Sequence, residues 1–137
     1  PFAPKDFARC LNATCPRSQN CLRRTAALQD TDEHLFLKVV NPLRYPKEGE
    51  ECELFRSTDK VRMAWGVTHL LDNVPYKEGS LLRNMIINHL GRSQYYRCFR
   101  KERPFAPQDQ QTIRMLFRQR GISEEPSFDY YTNEFNW

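Results

Sequence analysis

Four cysteines are the residues of this sequence most capable of chemistry. Cys10, Cys15, Cys21 and Cys52 follow the pattern C-x4-C-x5-C-x30-C, and four soft thiolates are the number that a tetrahedral zinc site or an iron–sulfur cluster takes. Zinc is the first expectation and a cluster the alternative, because the C-x2-C pair common in clusters is missing. Asn12, Pro16, Ser18 and Asn20 favour turns that could fold the first three thiols towards one point. The spacing departs from the usual knuckle, since only the Cys10–Cys15 interval falls within its range. Thiols without metal stay open as a reading, because cysteine is among the most buried residue types. Disulfides stay open too, although five cysteines are an odd number and three of them crowd between residues 10 and 21, a pattern that suits metal at least as well. His34 could replace one ligand, whereas His69 and His89 lie in helical patterns with no second ligand at i+4 and read as ordinary core or surface histidines.

A second group of side chains could bind rather than react. From Arg83 to Arg120 there are nine Lys or Arg against Glu102 and Asp109, while the rest of the chain is slightly acidic within a net charge of +4. The stretch from Leu90 to Arg103 reads as a helix end, a glycine turn at Gly91 and a helix dense in arginine and tyrosine, and it resembles a helix-turn-helix. That resemblance implies an outward face of Arg92, Gln94, Arg97, Arg100, Lys101 and Arg103 against nucleic acid. The same face would suit an acidic protein partner, and an arginine-rich solvated helix gives the same count. Cys98 lies between Arg97 and Arg100, which could make it a redox-active thiolate. Its place in an inward stripe with Tyr95 and Phe99 favours an inert core cysteine.

These residues need elements to hold them. Leu22 to Leu28 has helix-forming content, and His34 to Val40 suits a strand stopped by Asn41-Pro42. Residues 41 to 52 read as a loop that returns the chain to Cys52. Met63, Val67, Leu70 and Leu71 show helical spacing over Asp59 to Asp72. Further helices are expected over 77–90, over 92 or 93 to 103, and over 107–120, with Gly91, Pro104 and Gly121 as their stops. The tail from Ser123 to Trp137 holds Phe128, Tyr130, Tyr131, Phe135 and Trp137, too much aromatic surface to leave undocked. The expected fold is therefore mainly α, a small helical domain with an irregular cysteine-bearing N-terminal lobe that includes a short strand. Its parts are 1–56, a helical region 57–122, and an aromatic tail 123–137 packed on the helices.

Length and composition bound the function. A chain of 137 residues buries roughly two-thirds of its unfolded surface and supports one real core. No apolar run reaches the length of a membrane span, and Pro1 to Asp6 carries no apolar signal core. With the crowded cysteines, this leads to the expectation of a reducing, cytoplasmic setting. No phosphate-binding glycine loop, G-x-S-x-G elbow or H-E-x-x-H helix occurs, and Glu48, Glu50, Glu51 and Glu53 around Cys52 read as a solvated loop. The expected function is a non-catalytic binding module with a structural metal and a basic helical face for nucleic acid. The alternatives are a protein-interaction module and a thiol redox protein.

Phe7-Ala8-Arg9-Cys10 with Cys15, Cys21-Leu22-Arg23, Gly66-Val67-Thr68-His69, Asp72-Asn73-Val74-Pro75-Tyr76, Tyr95-Tyr96-Arg97 and Trp137 carry a further likeness. Over nearly its full length the chain resembles an uncharacterised bacterial family of small cysteine-containing proteins of unknown function. The resemblance implies a bacterial, cytoplasmic origin and no catalytic residue.

Overall fold

A computed structural model describes residues 3–30 and 33–137. The chain forms two compact units, one of Pro1–Lys60 with Phe135–Trp137 and one of Val61–Glu134. No helix among the described residues is long and apolar enough to cross a membrane.

The first unit has little regular structure. Among its described residues one α-helix, α1, spans Leu22–Gln29, and short 3-10 turns occupy Ser18–Asn20 and Pro42–Arg44. Leu22 and Ala26 stand at i and i+4, so they share one helical face, and both are fully buried. They pack with Phe7, and Ala3, Phe135 and Trp137 cover the cluster. The Trp137 ring meets Phe7 edge-on at 5.3 Å, a geometry the aromatic quadrupole favours. Residues 34 to 40 are not a strand. Val39 makes a single isolated bridge with Arg9, and Leu35 and Phe36 point into solvent, 93% and 85% exposed.

Arg9 organises this unit. It is the buried charged residue of the described core, 3% exposed, and all three nitrogens of its guanidinium donate hydrogen bonds. Nε and Nη2 donate to the Asp30 carboxylate at 3.0 and 3.2 Å. Nη1 donates to the carbonyls of Pro4, Lys5 and Phe7 at 2.7, 3.1 and 2.6 Å. A planar fork with five donors can satisfy a carboxylate and a curled backbone together, which a lysine could not.

The second unit is mixed. Strand β1, Lys60–Trp65, pairs with β2, Tyr130–Phe135, in a two-stranded antiparallel sheet. Between them run α2 (Tyr76–Leu90), α3 (Arg92–Phe99) and α4 (Pro107–Gln119). Leu82 and Ile86 of α2, Tyr95 and Cys98 of α3, and Ile113 and Phe117 of α4 meet Ala64, Phe105 and Phe128 in one core. Phe105 is tied on both sides: its backbone exchanges hydrogen bonds with Ala64, and its ring lies 5.2 Å from that of Phe128.

Three expectations are corrected here. The fold is not mainly α: the described residues form four helices and a two-stranded antiparallel sheet, a small mixed α/β fold. The helix expected over Asp59 to Asp72 is instead β1 followed by turns through Leu70 and Val74. Its cause is local. Gly66 has φ +81°, outside the helical region, and Trp65 is drawn into the sheet by stacking at 5.9 Å on Tyr130. The third helix also stops early, at Phe99, because Lys101 takes φ +61°, and Phe99 is 54% exposed rather than inward.

Replacing Arg9 with Met keeps most of the side-chain volume but leaves Asp30 and three carbonyls without their donor. We expect a loss of about 3 to 5 kcal/mol, the cost of breaking a buried ion pair on one side, read as a lower urea midpoint. An unchanged midpoint would contradict the organising role of Arg9.

Candidate functional site

All four predicted metal-ligating cysteines, Cys10, Cys15, Cys21 and Cys52, line one small cavity in the first unit. Different local structures bring them there. Cys10 follows the Arg9–Val39 bridge, and its N–H donates to the Arg23 carbonyl at 3.0 Å. Cys15 opens a turn closed by the Ser18 N–H on its carbonyl at 3.1 Å, and Cys52 opens another closed by Phe55 at 3.3 Å. Cys21 precedes α1 and bridges to Ser57. The cavity measures about 30 Å³, space for one or two water-sized atoms. His34 is exposed and lines a different cavity.

Cations surround the thiols. Arg17, Arg23, Arg24 and Arg44 line the same cavity, each steadied from elsewhere. Arg17 lies 3.5 Å above the Phe55 ring, Arg23 donates to the carbonyls of Leu54 and Ala8, Arg24 reaches the Cys10 carbonyl, and Arg44 pairs with Glu53 at 2.7 Å. Four thiolates around a dication leave two negative charges; Arg17, Arg23 and Arg24 stand near them, whereas Arg44 is already matched by Glu53. Donor type, number and charge therefore suit zinc. The thiols stand apart around the cavity wall, however, and among the described residues no three His, Cys, Asp or Glu side chains are grouped tightly enough to hold an ion. Zinc–sulfur bonds of about 2.3 Å require the thiols to close in by loop movement.

The basic segment is less open than its charge suggests. Arg92 and Arg97 are exposed on α3. Gln94 accepts from Arg103 at 2.8 Å, Arg100 pairs with Glu102 at 3.0 Å, and Lys101 pairs with Asp129 at 3.2 Å. Arg114, Arg118 and Arg120 are likewise matched, by Glu125 and Glu78. The turn between α2 and α3 is Gly91 alone, shorter than that of a DNA-reading helix pair. Cys98 is 1% exposed with its Sγ 4.0 Å from the Pro104 carbonyl, and burial pushes its thiol pKa up despite Arg103. A reactive cysteine requires the opposite shift.

One polar cluster escaped the sequence reasoning. Asp129 accepts from the Thr68 hydroxyl at 2.7 Å and from Lys101, and its backbone N–H reaches the Trp65 carbonyl at 2.9 Å. A Cβ on Gly66 would overlap this carboxylate, so glycine is needed there for space as well as for φ. His69 Nδ1 lies 2.7 Å from Asp72 alongside. Thr68, His69 and Asp72 are visible as a short motif, but Asp129 lies 61 residues from Thr68, and nothing local announces it.

Burial works to raise the Asp129 pKa, but the Thr68 hydroxyl, Lys101 and His69 outweigh it and hold the carboxyl below its ordinary value. A depressed carboxylate adds stability above its unfolded pKa and loses it as pH falls through the folded one. Asp129→Asn should therefore lower the urea midpoint at neutral pH. The gap from the parent should close as pH drops below about 4, where the unfolded carboxyl protonates. A gap independent of pH would show that the charge of Asp129 plays no part.

A search of the curated proteins and a search of the solved structures found no match. The profile of a family of unknown function, DUF6078, matches residues 2–137. That span takes in both units, the four cysteines and the Asp129 cluster, and the chain belongs to this family.

Proposed function

We propose that the chain is a binding module whose first unit is organised by one zinc ion held by Cys10, Cys15, Cys21 and Cys52. The observation that carries this reading is the convergence of all four thiols on one cavity in a unit whose apolar core is Phe7, Leu22 and Ala26. A unit of roughly 60 residues buries too little apolar surface to be secure, and units of this kind are usually stapled by disulfides or metal. All five cysteines are free thiols, which leaves them available as ligands in a reducing compartment such as the cytoplasm. The cavity suits a single ion better than a cluster of several iron and sulfide atoms.

The face around α3 supports nucleic-acid binding, or an acidic protein partner, less well. Gln94, Arg100, Lys101 and Arg103 are each engaged within their own unit, which leaves Arg92 and Arg97 as its outward cations.

Protein purified without chelator should contain about one zinc per chain by elemental analysis, since metal binding and folding are coupled in such sites. Each single Cys→Ser change among the four should reduce both metal content and Tm. The Tm loss should be several degrees, because 1 kcal/mol moves a unit of this size by roughly 4 to 8 °C. Cys98→Ser should leave the metal content unchanged. Metal-free protein that melts as before in the serine variants would overturn the reading.

A further inference from the structure

Cys15 and Cys52 face two cavities. Besides the small one they share with Cys10 and Cys21, they line a second of about 300 Å³. Asn12 and Thr14 bound it on one side, and Lys47, Glu48 and Glu50 on the other. Its outer wall is an exposed loop, 47–50, closed on itself by the Glu50 N–H on the Lys47 carbonyl at 2.9 Å. Cys10 and Cys21 do not line this space. Cys21 is 9% exposed at the head of α1, and Cys10, half-buried like Cys15 and Cys52, lines the narrow cavity and not the wide one. The four thiols are thus unequal: Cys15 and Cys52 line both a narrow cavity and a wide one, and Cys10 and Cys21 line the narrow one and not the wide one.

We infer that the outer cavity is the access route of the cysteine site, and that Cys15 and Cys52 are its modification-sensitive thiols, open to soft electrophiles, with Cys10 and Cys21 the protected pair. The order of access stands on the cavities alone. Its consequence for metal rests on the zinc reading above. In the reaction with a haloacetamide, the thiol sulfur attacks the carbon that bears iodine, a sulfur–carbon bond forms as the carbon–iodine bond breaks, iodide leaves and the thiol proton passes to solvent. A thioether made this way is no longer a thiolate ligand, so modification of the outer pair leaves a bound zinc with two of its four ligands and releases it. The first unit would then be open to regulation by thiol-modifying compounds through two defined residues.

The test is time-resolved labelling of the whole native chain with substoichiometric iodoacetamide, located by tandem mass spectrometry, while a colorimetric chelator reports released zinc. Metal-free protein and zinc-loaded protein are run side by side, and a sample in urea supplies the intrinsic rates. In the folded chain, Cys15 and Cys52 should label about fivefold or more faster than Cys10 and Cys21, because access governs thiol reactivity along with thiolate character. In urea the four should react alike. In the loaded protein, zinc release should track the labelling of the outer pair. Labelling of Cys10 or Cys21 first, or of all four together in the folded chain, would overturn the inference even if zinc is bound. The predicted order in a chain that never binds zinc would uphold the access route and overturn the zinc reading alone.

Discussion

The first unit is short of apolar surface, and its other features answer that constraint. Phe7, Leu22 and Ala26 are its buried apolar cluster, and an eight-residue helix with two 3-10 turns is its regular structure. Hydrophobic burial at this scale barely offsets the conformational entropy of ordering so much loop. The chain compensates with polar cross-links between distant segments. Arg9 gathers three carbonyls and Asp30 around one guanidinium, and Arg23 joins Ala8 to Leu54. The four cysteines stand where one further cross-link would tie residues 10 to 21 to residue 52. A metal there would do for this unit what a core does elsewhere.

The second unit meets no such shortage, and its polar groups act differently. Ala64, Leu82, Ile86, Phe105 and Ile113 are almost wholly removed from water, and each large buried side chain is worth a few kcal/mol. Polar contacts here fix geometry around an existing core. Asp129 locks the turn after β1 by taking Thr68 and Lys101 on one carboxylate, and Gly66 leaves it room. The basic segment is drawn into the same network. Its cations are spread over α3, α4 and the turns after them; Arg100, Lys101, Arg114, Arg118 and Arg120 pair with acids of the same unit, and Arg92 and Arg97 are exposed on α3.

What could be read from the sequence divides along the range of the interactions. Helices α2 and α4 were legible because their signals are local: Leu82 and Ile86 at i and i+4, Gly91 at φ +87° after the last turn, Pro107 at the start and Gly121 at φ +75° beyond the end. The sheet was not, because β1 finds its partner 65 residues later, and Met63 and Leu70, both buried, mimic a helical stripe although one lies in a strand and the other in a turn. Alternation from Val61 to Trp65 was the weaker of two competing periodicities. The four cysteines were visible as candidate ligands by type and number. Their meeting at one cavity depends on the loop that returns Cys52, and their arginine neighbours depend on tertiary structure. The pairings inside the arginine-rich segment were hidden for the same reason: Gln94 beside Arg103, and Asp129 opposite Lys101, cannot be seen in a local count of charge.

The central claim, that four cysteine sulfurs of the first unit close on one zinc ion, is tested most directly by X-ray absorption at the zinc edge on the purified chain. A single coordination shell of four sulfurs near 2.3 Å is expected, reduced to three sulfurs with one nitrogen or oxygen in Cys52→Ser. A shell dominated by nitrogen or oxygen near 2.0 Å in the parent, or the same shell in parent and variant, would contradict it.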